Sequence, residues 1–232
     1  MTLTIAIWRP DFVILGADRL SRWFADRPIG EPEYTEVTKV GIDSRLPIGW
    51  PNRGLASLAD SELTEAVGRA IEEVPEALWG VPFNGTKQVA ETLRPLVAAR
   101  RDQIPDLYHD HAQVEVAIGI GVGSAVRLEL IVDDLKVKWL KGGMVHPTEA
   151  LEGFFVQGRF ATDEGRFGPG NERPDKTIRR VVKMLKEGIR EEARRLKGQN
   201  LVCGLGGDVV LVTPDEARLA AHFKLPIRSR QK

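Results

Sequence analysis

The sequence predicts an α+β fold built on antiparallel sheets, and three observations carry that prediction. Strand-like and helix-like segments come in blocks rather than in strict alternation: strands, two helices, strands, two helices, then a strand and a helix. The opening residues 3–8 alternate cleanly, with Leu3, Ile5 and Ile7 on one face and Thr4, Ala6 and Trp8 on the other. The turn signal Arg9-Pro10-Asp11 separates them from the apolar run FVILGAD, which is the pattern of a hairpin. No linker and no internal repeat divides the 232 residues, so the chain reads as one domain spanning 1–232.

The remaining elements follow in order. FVILGAD (residues 12–18) is apolar throughout, as in a strand buried on both faces. Residues 19–36 are polar and contain Pro28, Gly30 and Pro32, which predicts a loop. Residues 37–42 (VTKVGI) form a short strand and residues 48–58 contribute another. Asp60-Ser61 offers an N-cap for a helix with Leu63, Val67, Ala70, Ile71 and Val74 at helical spacing, stopped by Pro75. A second helix starts near Thr86 with Val89, Leu93, Leu96 and Val97 on one face, and Pro95 kinks it or ends its first part.

Residues 113–121, 126–133 and 136–140 read as three strands, and residues 148–157 as a helix before a glycine-rich loop. Asp175 caps the clearest helix, whose stripe is Ile178, Val181, Val182, Leu185, Ile189, Ala193 and Leu196 and which Gly198 closes. DVVLVT (residues 208–213) is a final core strand, and Pro214-Asp215 leads into a short last helix.

Composition narrows the function classes. Lys+Arg and Asp+Glu both number 33, so no global field draws the chain to nucleic acid or a membrane surface. The single cysteine, Cys203, precludes an internal disulfide framework and fits a reducing cytosol. The apolar stretches fall short of a membrane span and no signal-peptide pattern is visible, so a cytoplasmic location is expected. His109-Asp110-His111 reads as a solvated loop rather than a metal cluster. Gly119, Gly121 and Gly123 have the wrong spacing for a dinucleotide loop and suggest a close-packed strand with a bulge. No cofactor is expected.

Chemistry is suggested by three residues. In a hairpin centred on Pro10, Trp8 pairs with Phe12 and Thr2 lies across from Asp18. Asp18 has two candidate cations, Arg19 beside it and Lys39 within VTKVGI, where a lysine is costly to bury unless paired. A threonine hydroxyl needs a base, and a terminal threonine carries one in its own α-amino group. A neighbouring lysine disfavours the protonated amine and makes it a better base near neutral pH, while a carboxylate orients that lysine. The arrangement requires removal of Met1.

TLTIAIWRPDFVILGADRLSR resembles the start of a mature proteasome β-type subunit or of the related bacterial HslV peptidase, both N-terminal-nucleophile hydrolases. That family opens with a catalytic threonine, runs a strand, a turn and a strand ending in two small residues and an aspartate, and later places a lysine before an aliphatic residue. Thr2, Gly16-Ala17-Asp18 and Thr38-Lys39-Val40 fill those places.

The resemblance implies a four-layer αββα sandwich with two antiparallel sheets, with Thr2 as nucleophile and base and with Asp18 and Lys39 tuning it. It implies Gly54 as the oxyanion-hole glycine and Asn200 and Cys203 as supporting positions; Arg19, the other candidate cation for Asp18, is a further supporting position. The family's Gly-Ser-Gly segment has Gln157-Gly158 as its nearest fit, and Asn200 stands where the family has an aspartate. By resemblance the substrate is a peptide or unfolded protein, the assembly a homo-oligomeric ring, and an ATP-dependent unfoldase a partner. An inactive β-like scaffold subunit and an amidase for a small amide are the competing readings.

Overall fold

The computed structural model describes residues 3–9, 11–23, 33–55, 57–58, 61–103, 113–121, 124–131, 134–139, 153–157, 173–195 and 206–225. Strand β1 (Thr4–Arg9) returns as β2 (Phe12–Asp18). The pair is in the register Thr4↔Ala17, Trp8↔Val13 and Arg9↔Phe12, which leaves two residues of sequence between the strands. This corrects the hairpin centred on Pro10 by one residue. A two-residue connection is the shortest that joins antiparallel strands, and it brings Leu3, not Thr2, level with Asp18.

Among the described residues the first sheet has five strands in the order β12-β1-β2-β13-β14, with β12 (Gly153–Gln157), β13 (Gly206–Val212) and β14 (Ala217–Lys224). Two of these strands correct the sequence reading. Part of the segment expected as a helix over 148–157 is β12, and the expected last helix is β14. The helix-forming composition of ARLAAHFK is overridden by pairing with β13, a tertiary effect that local propensity does not see. The strand through Gly119 is close-packed as expected, but its described ladders carry no register shift; the shift that is present lies between Val209 and Val210, where β13 meets β14.

The second sheet, also of five strands, runs β11-β10-β9-β6-β5, with β5 (Val40–Ile42), β6 (Ile48–Gly54), β9 (Gln113–Ile120), β10 (Ser124–Ile131) and β11 (Asp134–Trp139). The expected loop over 19–36 contains a small ladder between β3 (Leu20–Trp23) and β4 (Glu33–Glu36). A second small ladder joins β7 (Ser57–Leu58) to β8 (Ser61–Glu62).

Helix α1 (Leu63–Glu72) follows directly and has no side-chain cap. Ser61 is therefore not its N-cap; its hydroxyl donates to the Leu58 carbonyl at 3.2 Å. Helix α2 (Pro82–Arg101) starts before Thr86, because Pro82 can occupy a first-turn position whose N–H needs no partner. It continues through Pro95 to Arg101. Helix α3 (Pro174–Arg195) has Asp175 in its first turn rather than as its cap, and Gly198 lies outside the described residues.

The layers can be read from the alternation. Ile5, Ile7, Phe12, Ile14, Val209 and Leu211 pack against Val181, Leu185 and Ile189 of α3. Ala6, Trp8, Val13, Leu15, Val210 and Val212 point the other way and meet Val40 and Ala117 of the second sheet. That sheet turns Ile48, Trp50, Val114, Val116 and Ile118 outward onto α1 and α2. The result is helix, sheet, sheet, helix, the four-layer order the resemblance implies. β2 is buried along its whole length because both of its faces are covered.

Gly49 and Gly119 are cross-strand partners that let the sheets close. A Cβ on Gly119 would stand 2.8 Å from Val13 Cγ1, and one on Gly49 would stand 2.9 Å from Val210 Cγ1. Among the described residues no helix is long and apolar enough to cross a membrane.

Candidate active site at the charged end of the sandwich

Asp18 is the last residue of β2 and is only 4% exposed. Its main-chain N–H donates to the Leu3 carbonyl at 3.1 Å, while the Leu3 N–H donates to Asp18 Oδ1 at 2.6 Å. The carboxylate thus grips the main chain of the residue that follows Thr2. Thr2 itself lies outside the described residues, as do Asn200, Cys203 and the Gln157-Gly158 pair beyond Gln157.

Lys39 supplies the charge that Asp18 needs. It is 5% exposed, and its Nζ donates to Asp18 Oδ2 at 3.1 Å. The two oxygens of Asp18 are therefore divided between a backbone N–H and an ammonium. Burial pushes the Lys39 ammonium below its ordinary range, because desolvation penalises the charged form; the Asp18 charge and hydrogen bond oppose that fall. Lys39 stands just before β5 rather than within it, and its carbonyl accepts the Asn52 N–H at 2.8 Å.

The choice between the two cations is resolved by the structure. Arg19 pairs with Asp208, its Nη1 lying 3.3 Å from Oδ2. Asp208 is 3% exposed, and its other oxygen lies 2.6 Å from His222 Nδ1, the residue directly across the β13–β14 ladder. The arginine main chain is tied in as well: its N–H donates to the Gly206 carbonyl and its carbonyl accepts the Val37 N–H, both at 2.9 Å. Arg19 thus bridges β13 and the segment that leads to Lys39.

Gly54 ends β6, two residues beyond Asn52, and is exposed. Its φ of 116° is a backbone conformation open to glycine and strained for a residue with a Cβ. Beside it, Arg53 Nε donates to the buried Glu115 Oε1 at 3.0 Å, and Nη2 closes on the same oxygen. Asn52, Arg53, Glu115, Asp208 and His222 were missed by the sequence reading. The signal that found Lys39, a polar group inside an apolar strand, is equally present in QVEVAIGI and GGDVVLV.

With that geometry in place, known structures can be compared. No protein-family model matches the sequence, and no curated protein matches it. Among solved structures, Anbu described as an ancestral beta-subunit, from Yersinia bercovieri, aligns over 97% of this chain and 88% of its own at a TM-score of 0.61 and 10% identity. Anbu from Hyphomicrobium sp. strain MC1 aligns over 98% of this chain and 89% of its own, at a TM-score of 0.57 and 13% identity. A Gly-1 mutant of the latter aligns over 99% and 89%, at 0.60 and 12%. The shared fold is that of Anbu. It is an N-terminal-nucleophile-hydrolase-like α+β sandwich, and at such low identity the likeness speaks for the fold alone.

Proposed function

We propose that this chain is a proteasome-like threonine peptidase whose nucleophile is Thr2, exposed by removal of Met1. The observation that carries the reading is the division of Asp18 between the Leu3 N–H and Lys39 Nζ. A carboxylate is buried at the first described residue, with a cation beside it, where a structural strand end would need neither. Burying such a pair costs more in desolvation than it returns in stability, so function is the better account of it.

In this reading the Thr2 α-amine takes the proton from Oγ as Oγ attacks a peptide carbonyl. The Lys39 charge disfavours the protonated amine and keeps it a base, and Asp18 holds both Lys39 and the main chain next to the nucleophile. Gly54 is the proposed source of an N–H for the oxyanion, a role suited to its position at a strand end. The ammonium then passes its proton to the leaving amine as the C–N bond breaks. Water attacks the resulting ester with the amine again as base, and the proton returns to Oγ. Arg19 acts at one remove, holding the Lys39 segment and Asp208; Asn200 and Cys203 stay as proposed supporting positions.

We further propose that the 232 residues form one such domain and work in the cytoplasm on peptide or unfolded protein. A ring of identical subunits, fed by an ATP-dependent unfoldase, follows from the family resemblance. Thr2→Ala tests the reading in a fluorogenic peptide-amide assay. Hydrolysis should fall to background, a loss of at least about a hundred-fold for a removed nucleophile. Hydrolysis equal to wild type would overturn it, and a wild-type protein without activity whose Met1 is retained would favour the scaffold reading.

A further inference from the structure

The segment that delivers Lys39 belongs to no strand. β4 ends at Glu36 and β5 begins at Val40, so residues 37–39 cross between the β3–β4 ladder and the second sheet. Three hydrogen bonds fix their main chain. Val37 N–H donates to the Arg19 carbonyl at 2.9 Å, and Asn52 N–H donates to the Lys39 carbonyl at 2.8 Å. The Thr64 hydroxyl, in the first turn of α1, donates to the Thr38 carbonyl.

The last two bonds are linked. Asn52 Nδ2 donates to Thr64 Oγ1 at 2.7 Å. A hydroxyl has one proton, and with a lone pair engaged by Asn52 the Thr64 proton is aimed at Thr38. Asn52 is 3% exposed, so little water competes for its amide. One two-residue bridge from β6 and α1 therefore holds two successive carbonyls, those of Thr38 and Lys39.

We propose that Asn52 and Thr64 are positioning residues for Lys39: by clamping the Thr38 and Lys39 carbonyls they set the direction from which Nζ reaches Asp18. A lysine has four rotatable side-chain bonds, so an Nζ placed at 3.1 Å from one carboxylate oxygen needs a fixed starting point. The Asn52 N–H carries the β5–β6 register one residue past the strand to the Lys39 carbonyl, and the Thr64 hydroxyl extends the hold to the Thr38 carbonyl. The catalytic consequence rests on the peptidase reading, but the placement of Nζ does not.

The test uses the full-length protein with 13C-labelled lysine, the Lys39 signal being assigned by its absence in K39M. Thr64→Val removes the hydroxyl at nearly constant volume, and Thr64→Ser restores it. In T64V the Lys39 titration should move up toward the ordinary lysine value as water reaches Nζ, and T64S should return it. In parallel kcat should fall with KM little changed, by up to about a hundred-fold for a displaced catalytic group, and recover in T64S. A Lys39 titration unmoved in T64V overturns the proposal whatever the activity. If T64V does not fold, Thr64→Ala, which removes the same hydroxyl, is read in the same way, an unmoved titration again overturning it. If the wild-type protein hydrolyses no peptide, the peptidase reading falls while the titration still decides the clamp.

Discussion

At one end of the layer between the sheets, Gly49 and Gly119 face each other across a ladder, and Val13, Leu15, Val210 and Val212 fill the space above them. At the other end, reached along the same strands, Asp18, Glu115 and Asp208 are each at most 4% exposed and are held by Lys39, Arg53 and Arg19. The apolar end gains from close contact of small and branched groups and specifies how near the sheets come. The charged end loses from desolvation what it gains from pairing, so its residues are explained by what they do together rather than by the stability they add. The contrast separates an apolar end from a charged end within one core, and substitutions at the two ends should separate in the same way.

The largest effect is expected from Asp18→Asn. It keeps the shape of the side chain but leaves the Lys39 ammonium buried without its counter-charge, a change that costs about 3–5 kcal/mol. Chemical denaturation should show that loss, and peptide hydrolysis per folded molecule should fall as well. Next comes Gly119→Val at the apolar end. Its branched side chain must enter a space where even a Cβ would meet Val13 at 2.8 Å, which costs about 1–3 kcal/mol by overpacking. Hydrolysis per folded molecule should stay at the wild-type value. A stable D18N, or a G119V that loses activity while still folded, would erase the distinction between the ends.

A subtler effect is the pH dependence of stability. Lys39 binds its proton less tightly in the folded chain than at the ordinary value of 10.5. Between the folded value and 10.5 the unfolded chain therefore holds more protons, so stability rises with pH across that window. Below the folded value the full penalty is present, and above 10.5 it is gone. Wild type should gain stability relative to K39M as denaturation midpoints are followed upward through this range; parallel curves would contradict the burial of a charged lysine. The smallest effect belongs to Arg218→Ala. Its partner Glu216 is more than half exposed, and such surface pairs contribute under about 1 kcal/mol.

The parts of the fold that were legible in the sequence are those in which burial alone sets the pattern. β1 and β2 announced themselves by alternation and by a continuous apolar run, and α1, α2 and α3 by their stripes. Lys39 stood out because a lysine beside an apolar strand demands a partner, and Asp18 was the available carboxylate. What stayed hidden depends on neighbours distant in sequence. β14 carries a helix-forming composition and is a strand only because β13 pairs with it.

The register of the first hairpin rested on the length of its turn, and one residue there moved the partner of Asp18 from Thr2 to Leu3. The move sharpens the site, because Asp18 Oδ1 holds the main chain of Leu3, the residue after the proposed nucleophile. Asn52 and Thr64 gave no signal at all: twelve residues apart in sequence, they meet only when α1 packs over β6.

The central claim is that Thr2 becomes a free terminal residue carrying both nucleophile and base. The mass of the N-terminal peptide from native protein, taken before and after treatment with a threonine-directed covalent inhibitor, tests it most directly. The account predicts a peptide beginning at Thr2 that gains the inhibitor's mass, and no gain in Thr2→Ala. A peptide that retains Met1 and stays unmodified would contradict it.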